Sequence, residues 1–291
     1  MIDDLTGLHI VVTRPTAQAL PWAERLNQLG AVTTVISLLE IVPVLDNVQI
    51  QAIKNCILDL DLYDKAIFVS QNAVELGFEW IENYWPQLPI GIEFFAVGET
   101  TAKLLQNRGA PVTDLAQSQV GAMTSETLLQ APGLQSVAGK KIVIFRGVGG
   151  RPHIGEVLAT RGALVTYCEL YERLLPEASQ SEFAKLLKDD DAQELKATQD
   201  LTATQELVVV VHSGEALENL IKIMNEKAVF ERAVIERIWL LVPSQRIVEL
   251  AKAAGLIHVY GAQNATEASM LQGLIDVKRA LLSFKAQVKK V

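Results

Sequence analysis

Hydroxyl-bearing side chains follow several apolar runs of the sequence, at points where a strand would give way to a helix. Two such runs end at Ser70 and Ser213, and in each case Ala comes three and Glu five positions later. Thr100, Thr101 and Ser244 follow two further runs. Residues of this type cap helices, and helix N-termini offer free N–H groups that hold carboxylate or phosphate. These positions predict either an anion-binding surface or simple helix caps.

A glycine-rich turn flanked by arginines covers residues 146–151 and follows another apolar run. It begins like a dinucleotide-binding loop, but Pro152 occupies the third glycine position, and Glu169 and Glu172 lie near the distance of a ribose contact. The incomplete pattern favours a general anion-binding turn, in which guanidinium and N–H groups hold a carboxylate or phosphate. A nucleotide-dependent enzyme stays open as an alternative, which stabilisation by NAD or ATP would support.

The remaining reactive side chains show no spacing that indicates metal or covalent chemistry. The four histidines contain no H-x-x-x-H pair, and Cys56 and Cys168 match no metal or redox motif, so we predict no metal and no cofactor. His212 and Ser213 are neighbours, and neighbouring residues of a strand point to opposite faces. Without a G-x-S-x-G elbow, the sequence does not support a covalent hydrolase.

Length, composition and charge indicate a globular chain that is not directed at nucleic acid. The 291 residues predict two domains, and the 49% hydrophobic content suffices for a core. A net charge of −8 disfavours nucleic acid and anionic membranes as partners. The apolar runs are far shorter than the ~20 residues of a membrane helix, and the N-terminus lacks the features of a signal peptide. We therefore expect a cytoplasmic protein.

The chain contains an internal repeat of strands alternating with helical patterns, which is typical of parallel α/β sheets. In the second copy Tyr171 occupies the position of Leu39 in the first. Tyr171 either has a function that the first copy lacks or is a packing residue. By the repeat alone, the domain border would lie near residues 130–140. Three residue pairs have the same spacing of 132 positions: Arg14 and Arg146, Gly30 and Gly162, Glu40 and Glu172.

Two other segments have a clear pattern. Residues 176–206 are polar and predict an inserted surface helix and loop without chemistry. Residues 276–291 show apolar positions at helical spacing with basic residues between them. We expect a docked terminal helix there, with a partner-binding tail as the alternative.

The order and spacing of these motifs resemble the uroporphyrinogen-III synthase family. The residues that carry the resemblance are 12–15, 68–74, 96–102, 146–151 and 171–173. It implies two similar parallel-sheet, flavodoxin-like α/β domains, one inserted into the other and joined by a two-stranded linker. In this chain the first domain would combine residues 1–40 with 172–291, and the inserted domain would span 41–171.

The resemblance also implies a reaction, in which hydroxymethylbilane loses water and closes into uroporphyrinogen III with inversion of its last pyrrole ring. The family carries it out in the cleft between the domains, without metal or organic cofactor. Tyr171 matches the residue thought to assist departure of the hydroxyl group. The positions that the family assigns to substrate binding, or that lie at the strand ends opening toward it, are Arg14, Ser70, Asn72, Thr100, Thr101, Arg146, Ser213, Arg237 and Ser244.

Two departures from the family pattern affect the second half of the chain. Val242-Pro243-Ser244 replaces the more usual Gly-Pro-Thr, and Ser213-Gly214-Glu215 replaces Ser-Pro-Ser. As partners we expect the small-molecule substrate and a transient contact with the preceding enzyme of the pathway, but neither nucleic acid nor membrane, and we expect a monomer. The alternative is a non-catalytic, two-lobed binding protein for a polycarboxylate or a phosphorylated metabolite.

Overall fold

The computed structural model describes residues 4–113, 125–197, 206–225 and 238–288. By internal contacts the chain divides into two compact units, the first formed by residues 1–40 and 174–291 and the second by residues 41–173. Within the described residues, no helix is both long and apolar enough to cross a membrane. The strands are β1 (Leu8–Val12), β2 (Val32–Val35), β3 (Glu40–Pro43), β4 (Lys65–Phe68), β5 (Glu93–Ala96), β6 (Lys141–Gly147), β7 (Leu164–Leu174), β8 (Glu206–Val210), β9 (Trp239–Val242) and β10 (His258–Gly261).

Helices follow most of these strands, as the alternating pattern predicts. Ser70 and Asp46 cap two of them through side-chain oxygens, which satisfies N–H groups that the first helical turn leaves free. The helices are α1 (Thr16–Gln28), α2 (Asn47–Leu58), α3 (Gln71–Tyr84), α4 (Glu99–Asn107), α5 (Ser125–Leu128), α6 (His153–Thr160), α7 (Ala178–Ala197), α8 (Gly214–Asn225), α9 (Gln245–Ala253) and α10 (Glu267–Val288).

The sheet of the first unit has the order β2-β1-β8-β9-β10, and every neighbouring pair is parallel. Counted along this unit the order is 2-1-3-4-5, which is the flavodoxin-like arrangement. Helices α1 and α10 pack on one face, and α7, α8 and α9 on the other. The strand order reverses between β1 and β8, and ligands of such sheets bind beyond the carboxyl ends at this switch point.

The sheet of the second unit has the order β3-β7-β6-β4-β5, with β4, β5, β6 and β7 pairing in parallel. Helices α2, α3 and α4 cover one face, and α5 and α6 the other. If β6 and β7 are counted first, these four strands again follow the order 2-1-3-4. The switch point of this sheet therefore lies between β6 and β4.

The two copies of the sequence repeat exchange strands. The first copy supplies β1 and β2 to one sheet and β4 and β5 to the other, while the second copy supplies β6 and β7 and then β8 and β9. A border near residues 130–140, expected from the repeat alone, is wrong because β6 begins at Lys141 and pairs with β4 inside one sheet.

The two segments noted outside the repeat each contribute a helix in their described residues. Helix α7 is more than a surface insertion, because Phe183 and Leu187 are buried in the core of the first unit. Helix α10 is docked as expected, since Met270, Leu274 and Val277 are fully buried against the opposite face of the same sheet.

Two cysteines that are far apart in the sequence are neighbours in the second unit. Cys56 of α2 and Cys168 of β7 are free and buried, and both belong to the core on one face of the sheet. The interaction between the two thiols lowers the pKa of Cys56 to about 7 and raises the pKa of Cys168. The contact arises because α2 packs on the sheet face to which Cys168 points, and no spacing along the chain shows it.

Candidate active site

Tyr171 lies inside β7, which continues to Leu174. Only 2% of the residue is exposed. A register shift between Arg146 and Gly147 places Gly147 opposite Tyr171. A Cβ atom on Gly147 would lie 2.6 Å from the Tyr171 ring, so only glycine leaves room for the phenol here.

The Tyr171 hydroxyl is hydrogen-bonded to the hydroxyl of Ser70, which follows β4 at the switch point of the second unit's sheet. The two oxygens are 2.9 Å apart, and either hydroxyl can donate. Ser70 Oγ also accepts a hydrogen bond from the Ala73 N–H at 3.1 Å, as the N-cap of α3. If Ser70 donates to Tyr171, the phenol keeps its own hydrogen for another acceptor.

The other predicted residues of this unit lie in the first turns of α3 and α4. Asn72 is half-buried in the first turn of α3. Thr100 is exposed, whereas Thr101 is buried with 3% exposure. Because adjacent helical residues point about 100° apart, only one of the two threonines faces solvent in the free chain.

The Arg146 side chain is held by contacts within the 146–151 turn and with the neighbouring strand β7. Its guanidinium donates to the Gly150 carbonyl at 2.6 Å, lies 3.2 Å from a Glu169 carboxylate oxygen and stacks over the Tyr167 ring at 4.3 Å. The same Glu169 oxygen accepts from the Gly149 N–H. The carboxylate of Glu169 thus occupies the place that the sequence suggested for an external anion. The role of Arg146 in substrate binding stays a prediction.

In the first unit, Arg14 follows β1 at the switch point. Its guanidinium donates to the Ala265 carbonyl at 2.9 Å and lies 3.7 Å from Glu267. Burial lowers the pKa of Arg14 from its usual value, and the charge of Glu267 opposes this shift.

His212 follows β8, the strand that pairs with β1. It therefore lies beside the position of Arg14 at the same edge of the sheet. Its ring meets the Trp22 ring edge-on, with the centroids 5.0 Å apart. Both ring nitrogens are buried and have no hydrogen-bond partner among the described residues. Burial and the positive charge of Arg14 together lower the pKa of His212 to about 3, so the imidazole is neutral at physiological pH.

Ser213 and Ser244 directly precede helices α8 and α9 at the same edge of the first unit's sheet. Ser213 Oγ accepts from the Ala216 N–H at 3.1 Å, as Ser70 does from Ala73. Ser244 is the N-cap residue of α9, but its hydroxyl makes no capping bond. Arg237 lies outside the described residues. Over the described part of the chain, no three His, Cys, Asp or Glu side chains are placed to share a metal ion.

Comparison with known proteins decides the family. The family model described as uroporphyrinogen-III synthase HemD matches residues 21–272. The chain belongs to the uroporphyrinogen-III synthase family. The resemblance inferred from the motifs is thereby confirmed.

Individual relatives of the family cover almost the whole chain. The uroporphyrinogen-III synthase of Escherichia coli K12 is 32% identical over 270 residues, which is 92% of this chain and 100% of that protein. The synthase of Salmonella typhimurium LT2 is 30% identical over 268 residues with the same coverage. Both of these relatives bear the name of an enzyme, which gives no support to the alternative of a non-catalytic binding protein.

Solved structures of the family share the fold. A mutant uroporphyrinogen III synthase from Thermus thermophilus matches with a TM-score of 0.57 and 16% identity, covering 94% of this chain and 99% of that one. The enzyme from Helicobacter pylori 26695 matches with a TM-score of 0.54, the same identity and the same coverage. The predicted fold class of two parallel-sheet α/β domains is confirmed.

The candidate site contains one contact and one residue that the sequence did not reveal. The Ser70–Tyr171 hydrogen bond joins residues 101 positions apart. Ser70 follows β4 and Tyr171 lies on β7, and these two strands are not neighbours in the sheet. His212 drew attention only as the neighbour of Ser213. A signal did exist for it, since the repeat places His212 where the first copy has Val69.

We expect Ser70→Ala to lower the free energy of unfolding more than Ser213→Ala does. Each change removes one N-cap bond, which costs about 1 kcal/mol. Ser70→Ala also leaves the buried Tyr171 hydroxyl without its partner, which adds roughly 1–3 kcal/mol. Urea unfolding measures both values. Adding Tyr171→Phe to Ser70→Ala should remove the extra loss, and equal losses in the two single variants would contradict the assignment of the bond.

Proposed function

We propose that this chain is a uroporphyrinogen-III synthase, a cyclising lyase that converts hydroxymethylbilane into uroporphyrinogen III and water. The observation that carries the proposal is the Ser70–Tyr171 pair at a sheet switch point, in a chain that matches the family over residues 21–272. We further propose that it acts as a cytoplasmic monomer without metal or organic cofactor, and that its two compact units are the two domains of the family.

In the proposed mechanism Tyr171 acts on the hydroxymethyl group of the substrate. Ser70 donates its hydrogen to Tyr171, and Tyr171 donates its own to the departing oxygen. The carbon–oxygen bond breaks, water leaves, and a reactive azafulvene remains. A carbon of the last pyrrole then attacks this azafulvene, and that pyrrole ring is inverted before the macrocycle closes. The pyrrole loses a proton as it regains aromaticity, and this proton restores the phenol of Tyr171. A hydrogen bond or proton delivered by a positioned side chain accelerates such a step by about 10²–10⁴-fold.

The rest of the site has to bind and orient a flexible polyanion. The substrate carries carboxylates on every ring, and carboxylates are held by helix N-termini, hydroxyls and guanidinium groups. Asn72 and Thr100 supply such groups in the second unit, and Arg14, Ser213 and Ser244 in the first, while the buried Thr101 needs a change of conformation to take part. Holding the two ends of the substrate in the reactive geometry contributes much of the rate, because it removes the entropic cost of bringing them together.

The test is an isomer-resolved product assay. Hydroxymethylbilane, generated enzymatically, is mixed with the purified chain in the presence and absence of EDTA, and the products are oxidised to porphyrins and separated. We expect the III isomer at the same rate in both mixtures. Formation of only the I isomer, which is the product of spontaneous closure, would overturn the proposal. A loss of rate with EDTA that added metal restores would overturn its metal-free part.

A further inference from the structure

His212 carries two buried ring nitrogens at the edge of the first unit's sheet. Neither ring nitrogen is in contact with solvent, and neither has a partner among the described residues. Buried polar groups of folded proteins nearly always have a partner, so an exception calls for a ligand, a water molecule or an ion. The duplicated position in the second unit is Val69, so the fold itself does not require a polar residue here.

The position of His212 is one where parallel sheets bind ligands. It lies two residues past the end of β8, and β8 is paired with β1 at the switch point of the first unit's sheet. The loop after β1 contains Arg14, whose charge is close enough to act on the imidazole. A neutral imidazole beside a guanidinium offers one N–H donor in a region of positive potential, which suits an anion.

Within the described residues, no hydrogen bond fixes the orientation of the His212 ring. His212 as a residue is only partly buried, although its two nitrogens are covered. Its one aromatic neighbour among the described residues is Trp22, which it meets edge-on. Rotation of the side chain therefore gives up one ring contact and breaks no hydrogen bond.

We propose that the imidazole of His212 donates a hydrogen bond to a carboxylate of the linear tetrapyrrole substrate, next to Arg14. This inference rests on the proposed function, since it names a further binding residue for that substrate. Substrate binding then gives a partner to the ring N–H, which has none among the described residues. The imidazole of His212 thus increases the affinity for the substrate, although its burial lowers the stability of the free protein.

The proposal predicts two effects of His212→Leu with opposite signs. An apolar side chain of similar size removes the unsatisfied nitrogens, so the midpoint of thermal unfolding should rise by roughly 2 °C or more. The lost hydrogen bond to a charged group should raise KM by about 10- to 100-fold, with kcat nearly unchanged. The isomer-resolved assay gives KM and kcat, and calorimetry gives the midpoint.

His9→Leu is the matched control. His9 lies on β1 of the same sheet, and its Nε2 is hydrogen-bonded to Thr34 Oγ at 2.8 Å. Because that histidine has its partner, its replacement should lower the midpoint or leave it unchanged, and KM should stay at the wild-type value.

The outcomes separate this proposal from the proposed function. If the wild-type chain produces only the I isomer, the proposed function fails before any variant is tested. If the wild-type chain produces the III isomer and His212→Leu keeps the wild-type KM, the role of His212 is overturned. A fall of several degrees in the midpoint would also overturn it, because it would show that the nitrogens are already bonded in the free protein.

Discussion

Replacing Tyr171 by Phe should lower kcat for formation of the III isomer by about 10²–10⁴-fold while the protein stays folded. The hydroxyl is the group that we assign to departure of the substrate oxygen. The ring, which is buried against Gly147, is retained in the variant. Single-turnover assays with isomer separation measure the loss, and the I isomer should become the main product as the enzymatic rate approaches that of spontaneous closure.

Tyr167→Phe is the control for this experiment. Tyr167 lies on the same strand, four residues earlier, and its hydroxyl makes one long contact of 3.4 Å with the Pro152 carbonyl. Its ring stacks on Arg146, and that contact survives in phenylalanine. We expect an unchanged rate for this variant. A Tyr171→Phe enzyme as fast as the wild type would remove Tyr171 from the mechanism.

Replacing Gly147 by Ala should lower the rate by about 100-fold through displacement of Tyr171. The added Cβ would lie 2.6 Å from one ring carbon and 3.0 Å from two others, so the ring has to move. A displacement of about 1 Å at a reacting group can cost about 10²-fold in rate. Overpacking of this kind also lowers the free energy of unfolding by about 1–3 kcal/mol, which urea unfolding measures.

The double variant Gly147→Ala/Tyr171→Phe shows whether Gly147 affects the rate through the Tyr171 hydroxyl or by another route. If Gly147 acts through the phenol, its replacement should cost little further activity once the hydroxyl is gone, so the two losses should not multiply. Losses that multiply fully would show that Gly147 affects the site by another route.

Much of the architecture could be predicted because the repeat is strict. The 132-residue spacing located β1 and β6, β2 and β7, and the helices between them, since strand and helix periodicities are local properties of the chain. The pairing of those strands was not predictable from the repeat. Strand pairing is set by long-range packing, and it exchanged the partners of the two copies.

The site was predictable in its residue types but not in its contacts. Ser70 and Ser213 cap helices as their positions suggested, because capping depends on residues three apart. The ion pair between Arg146 and Glu169 depends on the pairing of β6 with β7. The lack of a hydrogen-bond partner for His212 among the described residues depends on which side chains pack around it. Neither feature can be read from the sequence, because each depends on the three-dimensional positions of distant residues.

The exchange of strands between the repeats has a consequence for synthesis of the chain. The second unit is one continuous segment, residues 41–173, and all its strands are synthesised before β8. The first unit cannot close its sheet at that stage, because β1 pairs with β8 almost two hundred residues later. The nascent polypeptide therefore carries β1 and β2 with an open edge while the inserted unit folds, and that edge is a site for chaperone binding or misassembly.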